Sequence, residues 1–232
     1  ATAQQAVPDL VLEAEFTSVP EPEIVKFQLF DEPPPPPPDF LERFLAWKDM
    51  VPEDNRTLPP GSSAPAGPVP GTETMPDRGL APEDFERLIN VALFPSTGSS
   101  NINEMSLDVG ARFVFCTGNW WAARNDRGGK DTRWTYIDPY ADMSDFCCDQ
   151  YVAYDEGRDM FIWYRQGTGN PNRIRIGASL DNGVTWCFYN ITSNTFGLGD
   201  RFLDYPHIGL TTDHVSFTTN VFGSSGFERL LR

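Results

Sequence analysis

Basic residues are scarce. Lys and Arg together number 18 against 33 Asp and Glu in a chain of 232 residues, a net charge of −15. So acidic a chain repels phosphate backbones and anionic lipid, which argues against nucleic acid or a membrane surface as partner. No stretch approaches the roughly 20 apolar residues that a membrane-spanning helix needs. Residues 1–6 lack the basic segment and apolar run of a signal peptide. A start at Ala1-Thr2-Ala3 instead fits a mature exported chain. Histidine occurs twice and cysteine four times. No C-x-x-C pair exists, so a structural zinc site has no ligand set.

Proline and glycine are plentiful, at 21 and 19. They favour turns over long helices. Hydrophobic residues make up 40% and aromatics 13%, enough to fill a core. Residues 1–80 read as a Pro-rich arm and linker. Short β-like runs at 11–16 and 24–30 precede six consecutive prolines at 33–38. That proline run must be an extended rod, since proline cannot donate to a helix or a sheet ladder. Apolar spacing predicts one short helix over 39–47, and a connector at 81–100 opens with another over 81–90. From residue 101 onward, aromatic and β-branched runs alternate with turn residues, which predicts strands. The two Asn-x-Ser/Thr sequons, at Asn55 and Asn190, matter only in a eukaryotic secretory pathway.

One stretch organises the β-rich part: Ser179-Leu180-Asp181-Asn182-Gly183-Val184-Thr185-Trp186. Ser and Asp side chains bond the backbone of tight turns. Gly supplies positive φ, and a following Trp can cap a hairpin's apolar face. A looser version runs through Asp126, Gly128 and Trp134, with Arg124 in place of the serine. Trp134 and Trp186 lie 52 positions apart, a spacing that suits a four-stranded blade of a propeller. The intact stretch resembles the Asp box (BNR repeat) of sialidase-like β-propellers, and the resemblance covers about residues 103–232. It implies a mainly β fold of Asp-box blades, two and part of a third over 101–232, preceded by the Pro-rich arm. A propeller needs at least four blades. The remaining blades are therefore expected on another chain or in a missing C-terminal part.

The same resemblance implies sialidase-type hydrolysis as one option. Those enzymes carry an F/Y-R-I-P arginine motif, which this sequence lacks, so no catalytic residue is carried over. Asp149 stands as the weak candidate for a general acid. The most unusual stretch is Asp145-Phe146-Cys147-Cys148-Asp149-Gln150, expected where an inner strand lines the central channel. Three uses of its cysteines stay open. Cys147 and Cys148 form a vicinal ring, or they staple to Cys116 and Cys187 as disulfides, or the thiols hold a soft metal such as copper. Asp138, Asp142, Asp145 and Asp149 crowd twelve positions, which makes calcium a candidate cofactor with Asp142 and Asp145 as ligands. Trp120, Gln150, Tyr164 and Arg165 place aromatics beside hydrogen-bonding groups, the combination that binds sugars. His207 joins them on an expected inner strand, as ligand or core residue. Together these features predict an exported or cell-surface module, extracellular or periplasmic, acting in binding or assembly, with glycan as the candidate ligand. The alternative is a glycan-active hydrolase or lyase whose active site lies partly outside the chain.

Overall fold

The computed structural model describes residues 11–12, 21–35, 38–39, 42, 105–126, 134–169, 171–224 and 226–231. The protein is mainly β, with a curled, half-barrel arrangement of sheet and almost no helix. Thirteen strands are described: β1 (Val11–Leu12), β2 (Glu23–Lys26), β3 (Ser106–Val109), β4 (Phe113–Thr117), β5 (Ala122–Asp126), β6 (Thr135–Ile137), β7 (Phe146–Asp155), β8 (Met160–Gly169), β9 (Asn172–Ser179), β10 (Thr185–Thr192), β11 (Phe202–Leu210), β12 (Val215–Gly223) and β13 (Gly226–Leu231). One 3-10 turn, Ser193–Phe196, links β10 to β11. The helix expected over 81–90 lies outside the described residues, and so does the one over 39–47 apart from residues 39 and 42.

The strands form three antiparallel meanders in chain order: β3 to β6, β7 to β10, and β11 to β13. The N-terminal arm completes the second and third at their far edges. β2 pairs antiparallel with β10, and β1 runs parallel to β13. Beyond β2, Phe30 exchanges two backbone hydrogen bonds with Tyr136 on β6. One arm segment thus ties the outer edges of two sheets together. β13 pairs with β12 as the last strand of the third meander.

The middle sheet is apolar on both faces, because side chains alternate across a strand. Phe161, Trp163, Trp186 and Phe188 face the first sheet and pack with Phe115, Ile137 and Phe27 of the arm. Ring centroids of Trp163 and Trp186 are 5.1 Å apart, and Phe115 lies 5.3 Å from Trp186. Tyr164, Ile174 and Ile191 face the other way and meet Leu203 and Val221 of the third sheet. The first strand of each meander is also a neighbour of the next: β7 touches β3 on one side and β11 on the other. β3 covers the edge of β7 with side chains rather than backbone. Ser106 Oγ accepts from Val152 N (2.9 Å), and Asp108 Oδ2 accepts from Tyr154 N (2.7 Å). Amides that would otherwise stand bare along a sheet edge are satisfied this way.

Candidate functional site

Two irregular strands face one another where β7 passes β11. The β7–β8 register shifts between Phe146 and Gln150, and the β11–β12 register shifts between Asp204 and His207. Pro206 explains the second shift, since it has no N–H for the ladder. The shift also forces Tyr205 to φ 56°, a strained conformation for a residue with a Cβ. Bulges re-aim side chains and gather next to functional sites. Here they bring Asp149 from β7 within hydrogen-bonding reach of Asp204 on β11. Asp204 is fully buried and Asp149 is half-buried.

Asp204 is held on several sides. Gln166 Nε2 donates to its Oδ1 at 3.0 Å, and Thr219 Oγ1 donates to its backbone oxygen at 2.8 Å. The Asn172 side chain pairs with both backbone groups of Leu203, at 2.7 and 2.8 Å. Burial pushes the Asp204 carboxyl above its ordinary value, against the hydrogen bonds from Gln166 and the Tyr205 amide. Burial also drives the Tyr164 phenol well above its ordinary value, and the charges of Asp149 and Asp204 add to the effect. On the outer side of the same strands, Tyr205 is 59% exposed. His207 is exposed and meets Tyr151 edge-on at 5.9 Å.

The other expected binding residues are placed differently. Trp120 is buried in a cluster with Cys116, Trp121, Ala123 and Tyr136. Gln150 donates to Gly118 O and, at 3.0 Å, to Trp121 O, and accepts from Trp163 Nε1 at 2.9 Å. Arg165 is fully buried and clamps Asp142 with two bonds of 2.6 and 2.8 Å. Its guanidinium also lies 4.3 Å from the Phe188 ring. These three side chains hold the fold, and none presents a free polar face. Asp142 takes Arg175 as well, at 2.6 Å, and Asp145 pairs with Arg173. The two aspartates read as calcium ligands are therefore arginine partners. Asp138 caps its own turn through Tyr140 N at 2.9 Å.

Cys116 and Cys187 are free thiols, so the disulfide staple joining them to Cys147 and Cys148 is not formed. Burial pushes the Cys116 thiol up to about 12. Cys147 is buried in the irregular part of β7.

The Ser179–Trp186 turn joins β9 to β10 at the opposite end of the sheets. Asp181 Oδ1 accepts from Ser179 Oγ (2.9 Å), Val184 N (3.1 Å) and Thr185 N (2.7 Å), while Ser179 Oγ accepts from Gly183 N (2.9 Å). Gly183 has φ 83°, and Trp186 is fully buried. In the looser copy, Asp126 ends β5, half-buried Trp134 precedes β6, and Gly128 lies outside the described residues. The β7–β8 and β11–β12 turns at this same end enclose a cleft of about 680 Å³, bridged where Arg158 bonds Asp155 and Thr212 O.

No family model, curated protein or solved structure matches the chain. No helix of the described residues is long and apolar enough to cross a membrane.

Asp204, Tyr151 and Tyr205 were not singled out from the sequence. A proline inside a strand-like run was the one available signal, because it marks a bulge.

Proposed function

We propose that the protein is a binding module built from β-propeller blades, and that it recognises glycan on the exposed face of β7 and β11. The observation that carries this reading is the facing pair of irregular strands. They bring exposed His207 edge-on to Tyr151 at 5.9 Å and leave Tyr205 exposed beside Asp204, whose carboxyl lies within hydrogen-bonding reach of Asp149. Flat rings beside a carboxyl and an imidazole match the faces and hydroxyls of a sugar. Support for blades comes from three consecutive meanders whose first strands are neighbours. The side-chain-locked turn before Trp186 adds to it. An exported location, and further blades supplied by another chain, belong to the same proposal.

The alternative, a glycan hydrolase, draws less from this geometry. In a two-carboxyl glycosidase, a class that leaves out the tyrosine-nucleophile sialidases, the carboxyls stand about 5–5.5 Å apart to retain configuration and further apart to invert it. Asp149 and Asp204 are within hydrogen-bonding reach, too close for either.

A glycan array followed by calorimetry tests the proposal. The wild-type chain is expected to bind a defined glycan. Tyr205→Ala and His207→Ala each weaken it at least tenfold, about 1.4 kcal/mol. Leu180→Ala, at the opposite end of the sheets and 73% exposed, leaves binding unchanged. An array with no hits, or binding indifferent to both substitutions, refutes it.

A further inference from the structure

We propose that the outer edges of β10 and β6 form an acceptor groove for an extended peptide segment, and that two copies of the chain fill each other's groove by exchanging arms. The proposal does not depend on glycan recognition. It starts from the strand order. β3 to β13 complete three antiparallel meanders by themselves, and the arm is added only at outer edges. A strand laid on an existing sheet edge is the geometry of peptide recognition by strand addition. The groove reads alternate residues of the arm, because Glu23, Val25 and Phe27 share one side of an extended strand. The Glu23 carboxylate meets Arg175 at 2.7 Å, and Val25 packs against the core. Phe27 is 5% exposed, with its ring centroid 5.6 Å from that of Trp163 and the Arg165 guanidinium 5.4 Å away. On the other side, Ile24 is 67% exposed. Backbone bonds fix the register: Phe27 N donates to Val184 O at 3.0 Å, and Phe30 exchanges bonds of 2.9 and 2.8 Å with Tyr136.

A second observation gives the groove its chemistry. The side chains of Arg165 and Arg175 are fully buried, and among the described residues the three meanders offer them one shared carboxylate, Asp142. The second counter-charge, Glu23, arrives with the arm. Without it, two buried guanidiniums would face a single negative charge, an arrangement that carries a large desolvation penalty. The groove therefore suits an extended segment with an acid, a β-branched residue and an aromatic at successive alternate positions. The arm has that pattern, and a second copy of the chain carries an identical one. Residues 31–104 separate the arm from β3. The same contacts serve whether the arm comes from the same chain or from its neighbour, which makes exchange a low-cost route to a dimer.

The full chain, refolded from urea at about 1 mM, the order of the effective concentration of a tethered segment, is sized by light scattering. A dimer is expected, and an excess of a synthetic peptide of residues 21–32 present during refolding suppresses it. Calorimetry then reads the groove itself. The peptide should bind the full chain carrying Phe27→Ala, whose own arm has lost its anchor. Phe27→Ala in the peptide weakens that binding by about tenfold or more, as loss of a buried aromatic anchor does, and Glu23→Gln in the peptide weakens it as well. Changes confined to the peptide leave the folding of the chain untouched. Phe27→Leu, which keeps an apolar side chain in the pocket, takes the place of Phe27→Ala in the chain where a melting curve shows that the alanine variant does not fold. A wild-type chain that stays monomeric overturns the proposal. So does a dimer that forms equally in the presence of peptide, and so does peptide binding that is absent or indifferent to both substitutions.

Discussion

Asp142→Asn should be among the most damaging conservative changes in the chain. Asp142 is about 10% exposed and is the shared counter-charge of Arg165 and Arg175, whose side chains are both fully buried. Among the described residues, Arg165 has one other hydrogen-bond partner, the Pro139 carbonyl at 2.8 Å. Arg175 keeps Glu23, which is 53% exposed. Removing one partner of a buried ion pair typically costs about 3–5 kcal/mol, because a bare charge is left inside. With two guanidiniums depending on one carboxylate, the upper end, about 5 kcal/mol, is expected. That converts to a fall in Tm of roughly 10–20 °C for a chain of this size. Asp145→Asn is the control. Its pair with Arg173 is 35% exposed on both sides, and such pairs contribute no more than about 1 kcal/mol. Equilibrium unfolding in urea, followed by tryptophan fluorescence, reads both variants. If Asp142→Asn stays within about 1 kcal/mol of wild type, or matches Asp145→Asn, then the buried arginines do not rely on this carboxylate and the reasoning fails.

Three further outcomes are expected. Gly183→Ala places a Cβ 2.6 Å from the Phe115 ring at a φ of 83°; positive φ and overpacking together cost about 2–4 kcal/mol, measurable as a lower Tm, and an unchanged melting curve contradicts the turn geometry. In native protein at pH 8, iodoacetamide should label half-buried Cys187 well before Cys116, whose thiol is buried and pushed up to about 12; peptide mass spectrometry showing Cys116 labelled first counts against its burial. Burial raises the Asp204 carboxyl from 3.8, so the stability tied to its neutral form is complete below that value and is lost as pH rises through the raised one. Unfolding in EDTA from pH 3 to pH 8 should therefore show Asp204→Asn gaining on wild type as pH increases, and a constant difference argues against the shift.

What the sequence disclosed follows how far its signals reach along the chain. The turn before Trp186 was legible because Ser179, Asp181 and Gly183 satisfy one another within five positions. β4 and β7 through β12 were legible because aromatic and β-branched residues filled both faces of buried strands. β3 was missed for a physical reason. Its polar Ser106 and Asp108 turn inward to cap β7, while Leu107 and Val109 stay 52% and 42% exposed, the reverse of the usual pattern.

The same logic applies to the residues expected at the site. Trp120, Tyr164 and Arg165 have the composition of a sugar site, but composition does not separate a residue that meets ligand from one that meets the next sheet. Asp142 meets Arg165 across 23 positions, and Asp149 meets Asp204 across 55. No local pattern encodes either pairing. Both depend on stacking three sheets so that β7 lies between β3 and β11. A carboxyl set deep in that stack must find an arginine, a proton or a cation. Asp142 has two arginines, whereas Asp204 has none among the described residues. That difference moves the expected chemistry away from the crowded acidic loop and onto the two irregular strands.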